Sequence, residues 1–532
     1  MLIIKSRRRR PLALDEPIRH GSHKPPVTRR DFLAQGFLTG AASVVGSGLL
    51  GTLLNPRLAR AVSPNLSEDI RDIATNVCRL TGGAGKIPFL CFDLAGGASI
   101  AGSNVLVGGE GGQLDFLSTQ GYSKQGLPGD MLPNDPTRSF VNTELGLAFH
   151  SDSAFLRGIL EKTSPTTRAN INGAVIPARS ENDTGNNPHN PMYGIARAGA
   201  KGELLTLIGS QNSDSGGNSM APAMLVDVEN RPTKVDRTSD VTGLVDTGEL
   251  AGILPSAADT IAVMESIVRI SGQKLTRVTT GLAADAALKD QVRCGYVKTA
   301  DTIATFSSPS VLNPALDAEI TGANGVFGPE FGGEREFEKT AAVMKLVVNG
   351  FAGAGTISMG GFDYHTGERA TGELRDLRAG RAMGACLEYA ARRGKPLMLY
   401  VFSDGSLSSN GRIDDSVDGR GKGEWTGDNQ QVAAAFFLVY SPQGRPTLLQ
   451  EGGIPIERRQ QLGYFRRDGD VETIGSPAAN NVNLLVQTVV LNYMALHEPA
   501  PDLAAALPGH GLGGSAAQRS MIAFNPIVSG PV

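Results

Sequence analysis

The fold of this chain is decided by residues 353–428, which read GAGTISMGGFDYHTGERATGELRDLRAGRAMGACLEYAARRGKPLMLYVFSDGSLSSNGRIDDSVDGRGKGEWTGD. Residues 356–359 form a short apolar run that ends in two glycines, and residues 396–402 form a second apolar run that is too short for a helix. Turn-forming residues bound both runs, which is typical of buried strands. The segment between them repeats apolar residues at helical spacing. The stretch therefore predicts two strands joined by one helix.

Polar side chains follow both predicted strands. Asp363 and His365 come directly after the first strand in the motif GGFDYH, and Asp404 follows the second strand in the motif FSDG. A right-handed crossover places the two strands parallel in one sheet, with their carboxyl ends at the same edge. Ligands of open α/β sheets bind at that edge. We therefore expect Asp363, His365 and Asp404 to converge there.

Two earlier apolar runs extend this pattern. Residues 87–94, IPFLCFDL, predict a buried strand that ends with Asp93 and opens into a glycine-rich loop. Residues 171–178 predict another strand, followed by a polar run that contains Ser180, Thr184 and His189 and precedes a helical segment. A hydroxyl at a helix N-terminus lies where backbone N–H groups favour an anion. The alternatives are a turn aspartate that caps a helix and an asparagine-rich capping loop.

The remaining pattern predicts one large α/β domain over residues 62–532, with a mostly parallel central sheet flanked by helices. Apolar residues 204–208 and 432–440 predict further strands. The polar loop 209–222 is placed to line the cleft. Residues 209–252 show no regular helical or strand periodicity, which predicts an insertion or a lid.

The N-terminal part of the chain has the features of an export signal. Arg29 and Arg30 precede an apolar run over residues 37–54, and small residues at Ala59 and Ala61 follow it. This combination is typical of a twin-arginine signal covering residues 1–61. A transmembrane anchor and a basic arm for nucleic acid are the alternatives, but the glycines of the apolar run and the small residues favour a removable signal. We expect no permanent membrane span.

Charge and cysteine content narrow the class of protein further. Residues 1–61 hold 11 of the 50 basic and 3 of the 53 acidic residues, so the rest of the chain carries a net charge of about −11. This balance argues against nucleic acid as a partner. The four cysteines show no C-x-x-C spacing, which argues against zinc knuckles and thioredoxin chemistry. We expect all four to be buried free thiols, although an exported protein can form disulfides.

The order of these motifs resembles that of the alkaline-phosphatase and sulfatase superfamily. Within it, the motifs FDLAGGAS, GGFDYH and FSDGSLSSNG most resemble the exported proteins grouped as domain of unknown function 1501. The resemblance covers most of residues 62–532, and its Gly-Gly-x-Asp-x-His motif is the most specific part. It implies a three-layer α/β sandwich with a metal site at the carboxyl edge of the sheet.

The resemblance also implies roles for individual residues. Asp93 matches the first metal aspartate of the superfamily, Asp363 and His365 match the ligands of one metal, and Asp404 matches the aspartate of the strand-ending motif. Ser180 or Thr184 would be the hydroxyl nucleophile.

The chain departs from the family pattern at two positions. Gly405 stands where a histidine usually follows the last aspartate, and no late histidine occurs in residues 419–428. Glu424, Asp428 and His189 are the candidates for additional ligands. A site dominated by oxygen ligands suits Mg, Mn or Ca better than Zn.

The resemblance implies a metal-dependent hydrolase of phosphate or sulfate esters. The metal would neutralise the ester and lower the pKa of the attacking hydroxyl. The substrate would be an anionic small molecule or glycan, and the signal implies the twin-arginine translocase as a partner and a periplasmic or otherwise exported location. The alternative is a catalytically degenerate binding or envelope-assembly protein on the same fold. A serine hydrolase is disfavoured because no G-x-S-x-G motif occurs.

Overall fold

A computed structural model describes residues 63–78, 86–180, 187–245, 256–279, 281, 285–306, 311–451 and 453–528. The signal predicted for residues 1–61 and the nucleophile candidate Thr184 lie outside the described residues. Among the helices that are described, none combines the length and the apolar composition that crossing a membrane requires.

Strands and short strand pairs occur along the whole described chain. They are β1 (Phe89–Leu94), β2 (Val141–Asn142), β3 (Phe149–His150), β4 (Ile171–Pro177), β5 (Leu205–Gly209), β6 (Thr233–Lys234), β7 (Ala352–Met359), β8 (Leu397–Ser403), β9 (Leu407–Asp414), β10 (Lys422–Asp428) and β11 (Ala434–Tyr440). Seven of them form the central sheet in the order β4-β11-β8-β1-β7-β5-β6. β9 pairs with β10, and β2 pairs with β3.

The central sheet is mostly parallel. β1 pairs in parallel with both β7 and β8, and β5 pairs in parallel with β6 and β7. Only β11 runs in the opposite direction within this sheet, antiparallel to its neighbours β4 and β8. The predicted α/β class with a mostly parallel sheet is therefore confirmed.

Helices connect the strands and cover the sheet. They are α1 (Glu68–Asp72), α2 (Thr119–Lys124), α3 (Ala154–Lys162), α4 (Pro165–Ala169), α5 (Met192–Arg197), α6 (Thr238–Gly243), α7 (Ala257–Leu275), α8 (Asp285–Thr305), α9 (Ala318–Thr321), α10 (Arg335–Val348), α11 (Arg369–Arg392), α12 (Val482–Ala495), α13 (Leu503–Ala506) and α14 (Ser515–Ser520). A π-helical turn, Ile73–Val77, follows α1, and 3-10 turns occur at Pro314–Leu316, Gly328–Glu330 and Ile456–Arg458.

Both faces of the central sheet are buried. Successive side chains of β1 point to opposite faces, so Leu90 belongs to one core cluster and Phe89 to the other. Helices α10 and α11 pack on the first face, where Val343 is buried, and α5 and α12 pack on the second, where Val489 is buried. Burial on both sides explains why the central strands are nearly continuous apolar runs. The arrangement is a three-layer sandwich.

A smaller helical cluster joins the beginning of the described chain to its middle. Ile70 of α1 packs with Met264 of α7 and Val297 of α8. A disulfide between Cys78 and Cys294, with a Cα–Cα distance of 5.3 Å, links the same elements covalently.

The expectation of four free thiols is therefore wrong for Cys78 and Cys294. It is confirmed for Cys91 and Cys386, which are free and buried. The bonded pair is separated by 216 residues in sequence, so cysteine spacing alone gives no indication of it.

The described part of residues 209–252 contributes an edge strand to the sheet and a polar loop at the carboxyl end of β5. After β5 the chain forms a polar loop over residues 210–219, and β6 then adds the edge strand beside β5. Residues 246–252 lie outside the described part. That this stretch is an insertion or a lid stays a prediction.

Candidate functional site at the carboxyl edge of the sheet

The carboxyl ends of β1, β7 and β8 lie side by side. In the strand register, Asp93 of β1 is level with Ser358 of β7 and with Phe402 of β8. The loops that follow these three strands therefore leave the sheet at the same height. They carry the motifs from which the sequence predicted a site.

Asp363, His365 and Asp428 form the group that best fits a cation, and we call it the Asp–His group. Their ligand atoms all lie within 4.8 Å of one another. Nδ1 of His365 lies 2.5 Å from Oδ1 of Asp363 and 2.9 Å from Oδ1 of Asp428, yet within the described part of the chain it makes no hydrogen bond of acceptable geometry. The three side chains are 62%, 31% and 33% exposed, so solvent reaches them. Two carboxylates and one imidazole suit a divalent cation.

Alternating burial after β7 explains how Asp363 and His365 come to face solvent. Phe362 and Tyr364 are fully buried, and the residues between and after them point the other way. The backbone N–H of Phe362 donates to the carbonyl of Ala95 at 3.1 Å, which fixes this loop to the loop after β1.

Asp428 reaches the group from the β9–β10 hairpin. Trp425 of this hairpin is buried, and the guanidinium of Arg369 lies 4.6 Å from the centre of its ring. The backbone N–H of Gly367 donates to the carbonyl of Trp425 at 2.6 Å. The hairpin is therefore bound to the loop that carries Asp363 and His365.

Asp93 lies beneath the surface and is used as a hydrogen-bond acceptor. Its Oδ2 accepts from the backbone N–H groups of Asn218 at 2.7 Å and Ser219 at 2.8 Å, and its Oδ1 accepts from the hydroxyl of Ser219 at 3.1 Å. Complete burial raises the pKa of the Asp93 carboxyl to about 7, and the nearby charge of Asp404 adds to this rise. The bonds from Ser219 and Asn218 oppose it.

Asp404 is buried beside Asp93 and is bound to the glycine-rich loop after β1. Its Oδ1 accepts from the N–H of Gly96 at 2.9 Å, and its Oδ2 lies 3.3 Å from the amide nitrogen of Asn218. Burial raises the pKa of the Asp404 carboxyl, against the effect of the Gly96 bond. Asn218 thus contacts both buried carboxylates.

The four predicted metal ligands divide into two neighbouring sets. Asp363 and His365 join Asp428, whereas Asp93 and Asp404 share Asn218. Among the described residues, the group whose ligand atoms all lie within 4.8 Å of one another is the Asp–His group, and it contains neither Asp93 nor Asp404. Asp93 and Asp404 are buried instead, and hydrogen bonds from the surrounding loops hold both carboxylates in place. Their roles as ligands stay predictions.

The other predicted residues lie around this edge. Ser180 follows β4 and is buried, with no hydrogen-bond partner for its hydroxyl among the described residues. His189 is buried and stacks on Phe402 with ring centres 5.9 Å apart. Glu424 forms an ion pair with Arg412 at 3.2 Å. Of the proposed additional ligands, only Asp428 belongs to the Asp–His group.

Asn218 and Ser219 were not singled out from the sequence. The only signal was the polar composition of residues 209–222, which predicted a loop lining the cleft. Asn187 was likewise not singled out, and its amide nitrogen donates to the backbone carbonyl of Asp404 at 2.7 Å. Amide residues in a polar loop are common, so composition alone does not identify the contacting members.

A cavity of about 530 Å³ lies at the opposite edge of the sheet, far from these side chains. Its lining includes Lys86, Gly199, Gly350 and Lys395, each of which lies shortly before the first residue of a strand of the central sheet. This cavity is therefore not the candidate functional site. The candidate site is indicated by the ligand-type side chains at the carboxyl edge of the sheet.

Comparisons of the chain with models of protein families, with curated proteins and with solved structures gave no match. The motifs and the geometry of the carboxyl edge are therefore what indicates a function for this chain.

Proposed function

We propose that this chain is an exported protein that binds one divalent cation through Asp363, His365 and Asp428 and uses it to hydrolyse phosphate or sulfate esters. The observation that carries the proposal is the convergence of two carboxylates and one imidazole, within 4.8 Å, at the carboxyl edge of a mostly parallel sheet.

The donor set fits a cation in three respects. It combines oxygen and nitrogen ligands, as sites for Mn or Zn do. The ring nitrogen of His365 faces both carboxylates without forming a properly aligned hydrogen bond to either. The group is partly exposed, which leaves room for a substrate.

A bound divalent cation would supply neutralisation of an anionic ester and polarisation of its bonds. The chain itself supplies a positively charged group near the site. The guanidinium of Arg375 contacts the carbonyl of Gly361, two residues before Asp363, so a positive charge is held against the loop that carries Asp363 and His365. This charge favours an anionic substrate.

The disulfide supports export independently of the N-terminal motif. Disulfides persist in oxidising compartments and are rare in the cytosol. The bond between Cys78 and Cys294 therefore fits the periplasmic or otherwise exported location and the twin-arginine translocase that the signal implies.

A second function is favoured by a different observation. Asp93 is fully buried and its carboxylate accepts three hydrogen bonds from Asn218 and Ser219, and Ser180 is buried as well. A protein with this arrangement could bind an anionic ligand or an envelope partner through one cation without hydrolysing it.

The test is hydrolysis of p-nitrophenyl phosphate and p-nitrophenyl sulfate by the purified protein supplied with Mn, Mg, Zn or Ca in turn. We expect metal-dependent release of p-nitrophenol, lost in the double variant Asp363→Ala, His365→Ala. A matched control, Asp130→Ala with His510→Ala, removes the same residue types elsewhere and should retain activity. Cation binding without hydrolysis of either ester would favour the second function.

A further inference from the structure

Tyr364 lies in the chain between Asp363 and His365, two of the three residues proposed to bind the cation, and its side chain points into the protein. It is fully buried. Its hydroxyl donates to Oδ1 of Asp376 at 2.8 Å and accepts from the backbone N–H of Ser99 at 3.3 Å. One side chain thus connects the loop after β7 with helix α11 and with the loop after β1.

Asp376 is itself held by further hydrogen bonds. Its Oδ2 accepts from the amide nitrogen of Asn104 at 2.7 Å, and that nitrogen also donates to the carbonyl of Ser99 at 2.8 Å. The amide oxygen of Asn104 accepts from the hydroxyl of Ser153 at 2.8 Å. Each member is buried. The acceptor of the Tyr364 hydroxyl is therefore fixed in position.

The ring of Tyr364 is also confined by helix α11. A methyl group added at Gly372 would lie 2.8 Å from Cε2 of Tyr364, so the ring packs directly against the helix backbone. Neither the ring nor the hydroxyl can move without displacing neighbours.

We propose that Tyr364, held by Asp376, is a positioning residue that sets the spacing between Asp363 and His365 and thereby the affinity of the site for a divalent cation. This inference rests on the proposed function, because it concerns the same cation site. Tyr364 adjoins both Asp363 and His365 in the chain, so rotation of the backbone at Tyr364 moves both flanking residues at once. Outer residues that orient metal ligands typically change metal affinity 10- to 100-fold when they are removed.

The test compares Mn²⁺ binding of the wild type and of Tyr364→Phe by isothermal titration calorimetry. The variant keeps the ring and loses only the hydroxyl, so we expect it to fold and to bind Mn²⁺ about 10-fold more weakly. Asp376→Asn removes the charge of the acceptor and should weaken binding in the same direction.

Tyr493→Phe is the matched control. Tyr493 is fully buried, and its hydroxyl donates to the carbonyl of Ile87 at 2.8 Å, at the opposite edge of the sheet. Tyr493→Phe loses one buried hydrogen bond and Tyr364→Phe loses two, so both should lower the urea midpoint of unfolding, Tyr364→Phe by more. Only Tyr364→Phe should change Mn²⁺ affinity.

Equal Mn²⁺ affinity in the wild type and in Tyr364→Phe would overturn the positioning role while leaving the cation site standing. Weakened binding in Tyr493→Phe as well would also overturn it, because the effect would then follow from general stability. A wild type that binds no Mn²⁺ would contradict the proposed function itself, and the positioning role with it.

Discussion

His189 is a buried imidazole, and neither of its ring nitrogens has a hydrogen-bond partner among the residues that the structure describes. Burial lowers its pKa to about 3 from an ordinary value of 6.5. The folded state therefore holds the ring neutral where the unfolded chain would protonate it. This contribution to stability is complete above about pH 6.5 and is lost as the pH falls toward 3.

We predict that His189→Phe makes the protein less sensitive to acid. The phenyl ring can stack on Phe402 and carries no proton to gain. Relative to neutral pH, the wild type should lose about 2 kcal/mol more than the variant by about pH 5, since each pKa unit corresponds to about 1.4 kcal/mol. Urea unfolding at the two pH values measures this. An equal loss in both proteins would contradict it. His150 and His497 titrate in both and cancel.

For single residues, the sequence indicates which side chains belong to the site better than it indicates which side chains contact one another there. Asp363 and His365 are two residues apart after a strand, so their proximity follows from local geometry. Asp428 joins them only because a hairpin folds back. Asn218 reaches Asp93 from the loop after β5, and nothing in a polar loop specifies that contact beforehand.

Among the elements, the buried strands were the most predictable. The apolar runs at residues 87–94, 171–178, 396–402 and 432–440 correspond to β1, β4, β8 and β11. A strand that is buried on both faces consists almost entirely of apolar residues, so its sequence is easy to recognise. The β9–β10 hairpin was not predicted. Much of β9 is exposed or half-buried, so its sequence lacks a continuous apolar run. The reversed direction of β11 also leaves no local signal.

The loop after β1 depends on a glycine at one position. Gly96 has a φ of +123°, a conformation that side chains strongly disfavour. A methyl group there would lie 2.4 Å from the backbone nitrogen of Asp363. The loops after β1 and β7 can approach each other only because this position has no side chain.

We predict that Gly96→Ala destabilises the protein by about 2 kcal/mol or more, through backbone strain and displacement of the Asp363 loop. It should also weaken cation binding. Gly360→Ala is the control in the neighbouring loop, since nothing lies within 4 Å of the added methyl group. It should change the free energy of unfolding by less than about 0.5 kcal/mol. Similar urea midpoints for both variants would contradict the prediction.

For the whole molecule, the disulfide attaches the beginning of the described chain to the helical cluster. Cys78 follows α1 and the π-helical turn, and Cys294 lies within α8. A bond that closes so long a loop restricts the unfolded chain strongly. Its loss should loosen residues 63–78 before it affects the central sheet, which has its own core clusters.

We predict that alkylation in denaturant without reductant labels two of the four cysteines, Cys91 and Cys386, and that prior reduction allows all four to be labelled. Intact mass spectrometry counts the labels. Cys78→Ser with Cys294→Ser should lower the free energy of unfolding by about 2 to 4 kcal/mol. Labelling of all four cysteines without reductant would contradict the bond.

The central claim is the cation site formed by Asp363, His365 and Asp428. The most direct test is the metal content of the protein purified without chelator and then dialysed against Zn, Mg, Mn or Ca, measured by elemental mass spectrometry. We expect about one divalent ion per chain in the wild type and in Asp130→Ala with His510→Ala, and none in Asp363→Ala with His365→Ala. No bound ion in the wild type under any of these conditions would contradict the claim.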